Sequence, residues 1–138
     1  MKNYVVGFMF DESGENIVLI KKNKPDWQKG KFNGVGGKIE IEEKPKDAMI
    51  REFKEETGVV YHNWDNFLTI QYNDCIVYFF KAFDQKAFSY ADTTEEEEIW
   101  KFAINDLPVD DLIFNLNWII FLARDIYIRK AEAIGIDY

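Results

Sequence analysis

The sequence has little of the chemistry that several common site types require. Among its 138 residues there is one cysteine, Cys75, and one histidine, His62. A single cysteine excludes an internal disulfide and suits a reducing compartment, so a cytoplasmic protein is expected. A zinc cluster or a histidine-based catalytic triad is not expected either, because both need more of these residues than the chain contains.

Positive charge is also scarce. The chain has 17 lysines and arginines against 25 aspartates and glutamates, which gives a net charge of −8 at pH 7. Proteins that bind nucleic acid polymers usually show an excess of basic residues or a strong basic patch, so no such partner is expected. An acidic protein that handles a small phosphate compound would need metal ions or a few local lysines.

Long uninterrupted apolar runs are missing as well. The most apolar segment, LIFNLNWIIFLARDIYI, is broken by Asn115, Asn117, Arg124 and Asp125, so no membrane contact is expected. The opening MKNYVVGFMFDESGE reaches acidic residues before it builds a full apolar core, which argues against a signal peptide. No repeat or linker is visible, and residues 1–138 are expected to form a single domain. The oligomeric state stays open.

What the chain does have is an apolar content of 47 % and an aromatic content of 17 %, typical of a globular protein. The runs NYVVGFMF and IVLIKK flank the turn residues DESGEN and predict a hairpin. Two further strands are predicted around Asn73 and Asp74, and another at IWKFAI. The glycine-rich segment NKPDWQKGKFNGVGGKIE predicts a loop with short strands.

Two helices are predicted. Pro45 suits the first turn of a helix and Gly58 its C-terminal end. Apolar residues recur at helical spacing from about Leu112 to Ala133, with Gly135 able to end that second helix. Together these elements indicate the α/β class, with a mixed sheet and helices packed on it.

The first predicted helix carries a group of carboxylates. At ~100° per residue, Glu52, Glu55 and Glu56 fall within an arc of about 100°, and Arg51 precedes Glu55 by one turn. They lie near the helix C-terminus, where the macrodipole disfavours negative charge. A solvated helix face is one interpretation. The alternative is a Mg²⁺ site, since carboxylates and substrate phosphates are typical magnesium ligands.

These residues match a known pattern. Gly37, five residues, Glu43, seven residues and then REFKEETGV resemble the Nudix box, Gly-x5-Glu-x7-Arg-Glu-U-x-Glu-Glu-x-Gly-U, in which U is a bulky apolar residue. Every fixed position is filled, by Gly37, Glu43, Arg51, Glu52, Glu55, Glu56 and Gly58. Phe53 and Val59 occupy the apolar positions, and Phe53 departs slightly from the usual aliphatic choice.

The resemblance implies a Nudix α/β/α sandwich with a mixed β-sheet between helices. It implies hydrolysis of a nucleoside diphosphate linked to another group, with Mg²⁺ or Mn²⁺ as cofactor. Glu52, Glu55 and Glu56 are then the expected metal ligands, with a further one from the backbone of Gly36 or Gly37, and Gly37 is taken as the prediction. Glu52 and Glu55 are the expected catalytic carboxylates, although the identity of the general base stays open.

The same resemblance assigns supporting roles. Arg51 and Glu43 are expected to orient the catalytic groups. Lys38 is expected to contact a phosphate oxygen, or else is a surface lysine. In the segment TTEEEEIW, a glutamate ahead of the strand often completes the metal site in enzymes of the MutT type. Glu97 or Glu98 would fit, and Glu98 is taken as the prediction.

The substrate is less well defined. The segment KFNGVGGKIE is similar to MutT-type enzymes that remove oxidised purine triphosphates such as 8-oxo-dGTP, in which an asparagine at the position of Asn33 faces the base. Asn33 could instead be a turn residue. Near the C-terminus, INDLPVDDLIFNLNW offers Asp111, Asn115 or Asn117 as a second base contact, and Asn115 is favoured.

The predicted function is therefore a Mg²⁺-dependent nucleoside triphosphate pyrophosphohydrolase of the MutT type, which releases a monophosphate and pyrophosphate. A hydrolase of ADP-sugars or dinucleoside polyphosphates is the alternative within the enzymes. A non-catalytic nucleotide-binding sensor is the alternative outside them, and the complete set of glutamates argues against it.

Overall fold

The computed structural model describes residues 1–128 and 130–136, the last four of these by their backbone alone. Their strands are β1 (Lys2–Phe10), β2 (Asn16–Lys21), β3 (Phe32–Asn33), β4 (Val35–Lys38), β5 (Asp65–Tyr72), β6 (Cys75–Phe83), β7 (Glu98–Ala103) and β8 (Ala131–Ile136). The helices are α1 (Pro45–Thr57), α2 (Gln85–Tyr90) and α3 (Leu116–Arg124). Short 3-10 turns lie at Asp26–Gln28, Ile104–Asp106 and Val109–Asp111.

All eight of these strands join one mixed sheet. Its order is β3-β2-β1-β6-β5-β8, with β4 beside β1 and β7 beside β2. The pairs β1–β6 and β5–β8 are parallel, whereas the other pairs are antiparallel. The predicted β1–β2 hairpin is confirmed, as is the pair of strands around Asn73 and Asp74.

Side-chain alternation along the strands divides the core into two layers. In β1, Phe8 and Phe10 face one cluster while Val5 and Met9 face the other, as a two-residue period requires. The first cluster includes Ile119 and Ile120 of α3, and the second includes residues of α1 and α2. The sheet thus lies between helices on both faces, and the predicted α/β/α sandwich is confirmed.

Helix α1 has the predicted bounds. Pro45 occupies the first turn, and Gly58 follows the last residue in the left-handed conformation, with φ of 80°. The amide of Gly58 donates to the carbonyl of Lys54 and closes the last turn. Met49 and Phe53 are fully buried against the sheet. Because this face is fixed by packing, the direction of the glutamates on the other faces of α1 is fixed as well.

The prediction of one helix from Leu112 to Ala133 is wrong. Helix α3 covers only Leu116–Arg124, and the chain then turns and forms β8 alongside β5. Ile126 and Tyr127, which the pattern placed on the buried side, are 71 % and 88 % exposed. Gly135 lies inside β8 and does not end a helix. Pairing with the sheet edge overrides the helical spacing here, since tertiary contacts outweigh local preference.

One helix was not predicted from the sequence. In α2, the Asp84 side chain caps the first turn by accepting a hydrogen bond from the amide of Ala87 at 2.8 Å. Ala87 and Ala91 pack on the same side of the sheet as α1. Across residues 1–128 and 130–136, none of the helices has the length and apolarity needed to cross a bilayer.

Candidate active site

Arg51 is the centre of a charged network at the surface of α1. Its Nε and Nη2 atoms donate to the two carboxylate oxygens of Glu43 at 2.8 and 2.9 Å. Its Nη2 also donates to the carbonyl oxygen of Lys38 at 3.1 Å. The hydrogen bonds from Arg51 hold the pKa of Glu43 below its ordinary value, despite some burial. The guanidinium therefore ties α1 both to the loop before it and to the end of β4.

The same guanidinium holds two glutamates of α1. Its Nη1 donates to Glu52 Oε1 at 2.9 Å and more loosely to Glu55 Oε2 at 3.3 Å. The hydrogen bond with Glu43, followed by the contacts with Glu52, raises the pKa of Arg51, which stays protonated. One permanent cation thus fixes the orientation of neighbouring carboxylates that would otherwise repel one another.

Glu52 lies against a glycine of β4. Its residue surface is only 9 % exposed, and a Cβ added at Gly37 would approach Glu52 Oε1 to 2.5 Å. A side chain at position 37 would therefore displace the carboxylate. Burial, although partly opposed by Arg51, raises the pKa of Glu52.

Glu56 is the least satisfied carboxylate of the group. Its Oε2 atom is buried and has no hydrogen-bond partner. Burial raises the pKa of Glu56 to about 7, and the negative charges of Glu52 and Glu97 add to this effect. A buried oxygen without a donor is costly for a folded protein. A cation placed beside Glu56 would remove that cost.

The loop before β7 contributes a further carboxylate, and it is Glu97. Glu97 is 8 % exposed, and its oxygens accept from Lys22 Nζ at 2.9 Å and from the Asn23 amide at 2.6 Å. Burial opposes ionisation, yet these hydrogen bonds hold the pKa of Glu97 below its ordinary value. Glu98, the predicted ligand, is exposed and accepts a hydrogen bond from the indole of Trp100 at 3.1 Å.

The residues present fit a divalent cation that is completed by substrate. Within residues 1–128 and 130–136, no three acidic, histidine or cysteine side chains converge as a finished metal cage. Mg²⁺ does not need a finished protein cage, because substrate phosphates and water fill the remaining positions. The partnerless oxygen of Glu56 and the like charges of Glu52 and Glu97 around it provide the oxygen-rich, anionic environment that such a cation needs.

A cavity of about 840 Å³ lies beside this network. Its lining runs from Gly36 and Gly37 in β4 to Asn33, Lys22 and the aromatic side chains of Trp27 and Phe114. Trp27 and Phe114 stack on one another with ring centroids 5.7 Å apart. Gly37 lines the cavity and also abuts Glu52, so a single residue of β4 separates the cavity from the carboxylate of Glu52.

The predicted substrate-binding residues have different positions relative to this cavity. Asn33 lines it, with its Oδ1 accepting from the Gly34 amide at 2.8 Å. Lys38 is exposed and enters the network through its carbonyl oxygen, which Arg51 binds. Asn115 is not in the lining, and it accepts a hydrogen bond from the Trp118 indole at 3.0 Å. It precedes α3 in the left-handed conformation, with φ of 73°, so it does not share a continuous helix with Asp111.

Trp27 was not singled out from the sequence, since a lone tryptophan in a predicted loop gives no signal. Glu97 was named only as the alternative to Glu98. Glu97 could have been distinguished from Glu98 by strand alternation. Ile99 packs on the α1 side of the sheet and Phe102 on the α3 side. Counting back by two from Ile99 places Glu97 on the side of α1.

Comparison with known proteins gives the class of the chain. The NUDIX domain family model matches residues 2–123. Three solved structures with similar folds are the mutator MutT protein of Bacillus halodurans (16 % identity, TM-score 0.75, covering 100 % of this chain and 90 % of that one), an ADP-ribose pyrophosphatase of Streptococcus suis (16 %, 0.70, 97 % and 98 %), and the NUDIX domain of Shewanella oneidensis NrtR complexed with ADP ribose (15 %, 0.69, 89 % and 86 %).

The chain belongs to the Nudix family, and it is a Nudix hydrolase. Hydrolases of this family generally use divalent metal ions. The similar structures include both MutT proteins and proteins whose names refer to ADP-ribose. At these identities the likeness concerns the fold, so the substrate must be argued from the residues of this chain.

Proposed function

We propose that the protein is a Mg²⁺-dependent nucleoside triphosphate pyrophosphohydrolase of the MutT type that prefers oxidised purine nucleotides such as 8-oxo-dGTP. The observation that carries this proposal is the continuity between the cavity and the Nudix box. Gly37 lines the cavity on one side and touches the carboxylate of Glu52 on the other. A nucleoside in the cavity would thus extend its phosphates towards the glutamates of α1.

The glutamates of α1 would hold the cation. In this proposal Glu52, Glu55 and Glu56 are the side-chain ligands, and the backbone of Gly37 adds another. When bound, the cation would screen the charge of the polyphosphate and lower the pKa of an attacking water. Mn²⁺ is expected to replace Mg²⁺. Of the two candidate glutamates at the start of β7, the burial of Glu97 and the effect of its charge on Glu56 favour Glu97 over the predicted Glu98.

The remaining residues of the network would orient the reacting groups. Arg51, held by Glu43 on two oxygens, fixes the side chains of Glu52 and Glu55 at defined positions. Such fixed geometry is what hydrolysis requires, because the water and the diphosphate linkage must be aligned before the bond breaks. Water adds to one phosphorus, and the bridging oxygen leaves with the other product, so that monophosphate and pyrophosphate are released.

The base would lie among the aromatic side chains of the cavity. Trp27 and Phe114 form a stacked pair at the cavity wall, and aromatic faces favour planar bases. The Nδ2 group of Asn33 carries two N–H donors, and an amide suits the mixed donor and acceptor edge of a purine. Lys38 and Asn115 remain proposed contacts for phosphate and base, although Asn115 would have to approach the cavity from outside its lining.

A panel of nucleotides tests the proposal. The purified protein is incubated with Mg²⁺ and 8-oxo-dGTP, dGTP, ADP-ribose or diadenosine polyphosphate, and products are separated by chromatography. The proposal predicts the highest kcat/KM for 8-oxo-dGTP, with pyrophosphate as product. Turnover of ADP-ribose alone would contradict the MutT assignment and leave the metal chemistry intact. Binding without turnover of any compound would indicate the sensor.

A further inference from the structure

Lys22 is bound to Glu97, the buried carboxylate of the loop before β7. Its Nζ donates to Glu97 Oε1 at 2.9 Å, and the side chains are only 19 % and 10 % exposed. The other oxygen of Glu97 is taken by the amide of Asn23 at 2.6 Å. The ion pair is therefore shielded and well oriented, unlike the weak pairs typical of protein surfaces.

Lys22 also affects the carboxylate that lacks a partner. Its positive charge acts on Glu56 in the direction opposite to the charges of Glu52, Glu95 and Glu97. Yet the Oε2 atom of Glu56 has no donor. Lys22 thus supplies part of the positive charge that this acidic group needs, without completing its hydrogen bonds.

The position of Lys22 also connects it to the cavity. Lys22 lines the cavity together with Gly36 and Gly37. The loop that carries Trp27 begins after Lys22. The amide of Lys22 donates to the carbonyl of Lys31, and its carbonyl accepts from the amide of Gly30, at 2.8 Å each. The backbone is held while the long side chain has rotatable bonds, so the ammonium group can change partner without a change in the fold.

We propose that Lys22 is an exchangeable counter-ion, which neutralises Glu97 in the metal-free protein and turns to the substrate diphosphate when a divalent cation takes its place. This inference rests on the proposed metal-dependent function and adds a residue outside the Nudix box to it. In the metal-free protein, Lys22 would thereby stabilise the buried charge of Glu97. After the cation has bound, the ammonium group of Lys22 would donate a charge-assisted hydrogen bond to the diphosphate.

The test compares Lys22→Met with the wild-type protein in two binding measurements. Mn²⁺ binding without nucleotide is followed by electron paramagnetic resonance, and inorganic pyrophosphate binding at saturating Mg²⁺ by calorimetry. Removal of the competing ammonium should tighten Mn²⁺ binding about fivefold, the value of a good ion pair. Loss of the charged contact should weaken pyrophosphate binding about tenfold.

Lys21→Met is the matched control. Lys21 is the preceding residue, and its Nζ lies over the Trp100 ring, 5.5 Å from the centroid, away from Glu97. Both affinities should stay at the wild-type value in this variant. A general effect of removing one positive charge from an acidic protein would instead change both variants alike, and that outcome would overturn the proposal.

A second variant covers the case in which Lys22→Met fails to fold. Glu97→Gln leaves Lys22 in place but removes the charge that holds it, so pyrophosphate binding without any divalent cation should become about threefold tighter than in the wild type. Unchanged binding in this variant, or Mn²⁺ affinity unaltered in a folded Lys22→Met protein, would overturn the role of Lys22. Failure of the proposed function is a separate result, because pyrophosphate and Mn²⁺ affinities do not depend on which nucleotide is hydrolysed.

Discussion

Arg51 donates two hydrogen bonds of 2.8 and 2.9 Å to the carboxylate of Glu43, and these bonds join α1 to the loop that precedes it. The planar guanidinium also reaches Glu52 at 2.9 Å from the same position. A lysine could not reproduce this arrangement, because its ammonium group lacks the planar fork that binds both oxygens of one carboxylate. In the proposed mechanism, the α1 glutamates would therefore be oriented by an arginine that need not touch the substrate.

Arg51→Lys is expected to reduce kcat by about 10–100-fold, the usual effect of losing a residue that orients metal ligands. Glu52 and Glu55 would lose their fixed donor while the overall charge is kept. Steady-state kinetics and circular dichroism measure the effect and the fold. The exposed Lys54→Arg on the same helix is the control, and wild-type kcat in Arg51→Lys would disprove the orienting role.

Glu55→Gln is expected to lower kcat by about two to three orders of magnitude, because a neutral amide is a poor ligand for a hard cation. Its effect on the free energy of unfolding should stay within about 0.5 kcal/mol, since the Glu55 side chain is 49 % exposed and pairs only loosely with Arg51. Asp47→Asn, a charge removal in the first turn of α1, should keep full activity. The assignment of Glu55 fails if both variants have similar activity.

Neighbouring glycines of β4 should respond differently to substitution by alanine. A Cβ at Gly36 would lie 1.9 Å from the carbonyl oxygen of Val5, so Gly36→Ala should lower the free energy of unfolding by about 2 kcal/mol or more. A Cβ at Gly37 would meet the end of the Glu52 side chain instead of backbone. Gly37→Ala should therefore cost only about 1 kcal/mol but reduce kcat markedly.

Chemical denaturation and kinetics on both glycine variants separate these effects. The expected pattern is lost stability in Gly36→Ala and lost activity with a near-native melting curve in Gly37→Ala. Equal activity per folded molecule in the two variants would show that the contact between Gly37 and Glu52 does not matter for catalysis.

Asp11 should make stability depend on pH in the acid range. Burial opposes its ionisation, but the side chains of Asn16 and Ser13 and the amides of Glu15 and Asn16 donate to the carboxylate and lower its pKa below 3.8. The unfolded state therefore binds a proton first as the pH falls. The stabilisation is present above the unfolded pKa and is lost as the pH drops through the folded pKa.

Asp11→Asn should accordingly be less stable than the wild type at pH 7, by about 1–2 kcal/mol for the weakened hydrogen bonds of the β1–β2 turn. The difference should shrink as the pH falls below about 4, near the ordinary carboxyl pKa. Urea denaturation across this pH range measures it. The exposed Glu12→Gln in the same turn is the control. A difference that is independent of pH would rule out the ionised carboxylate as its source.

The elements that sequence predicted best are those in which local signals and packing agree. Pro45 and Gly58 set the ends of α1, and the fixed spacing of the box placed Arg51, Glu43 and Glu52 in one network. The sequence did not show which of Glu97 and Glu98 is buried. A run of glutamates contains no apolar residue that would indicate which side chains face the core. Only Ile99, beyond the run, carries that information.

The segment after Arg124 shows a second reason why prediction from sequence failed. Residues after Arg124 keep an apolar helical spacing, but β5 offers them a free edge with unpaired backbone groups, and β8 forms there. Lys81 stabilises the turn between α3 and β8. Its ammonium group is buried and donates to the carbonyl oxygens of Asp125 and Ile128 at 3.1 and 3.3 Å. A contact between residues so far apart in the chain produces no periodic pattern in the sequence, so it could not be predicted.

The parallel strand β8 therefore pairs with β5 and covers its edge. Shortening the protein at Asp125 would strip that cover and leave the hydrogen-bonding groups of β5 open to a strand from another molecule. Such a truncated protein would retain every residue of the Nudix box yet tend towards aggregation in solution. For this enzyme, protection of the sheet edge therefore comes from a strand that carries none of the α1 carboxylates.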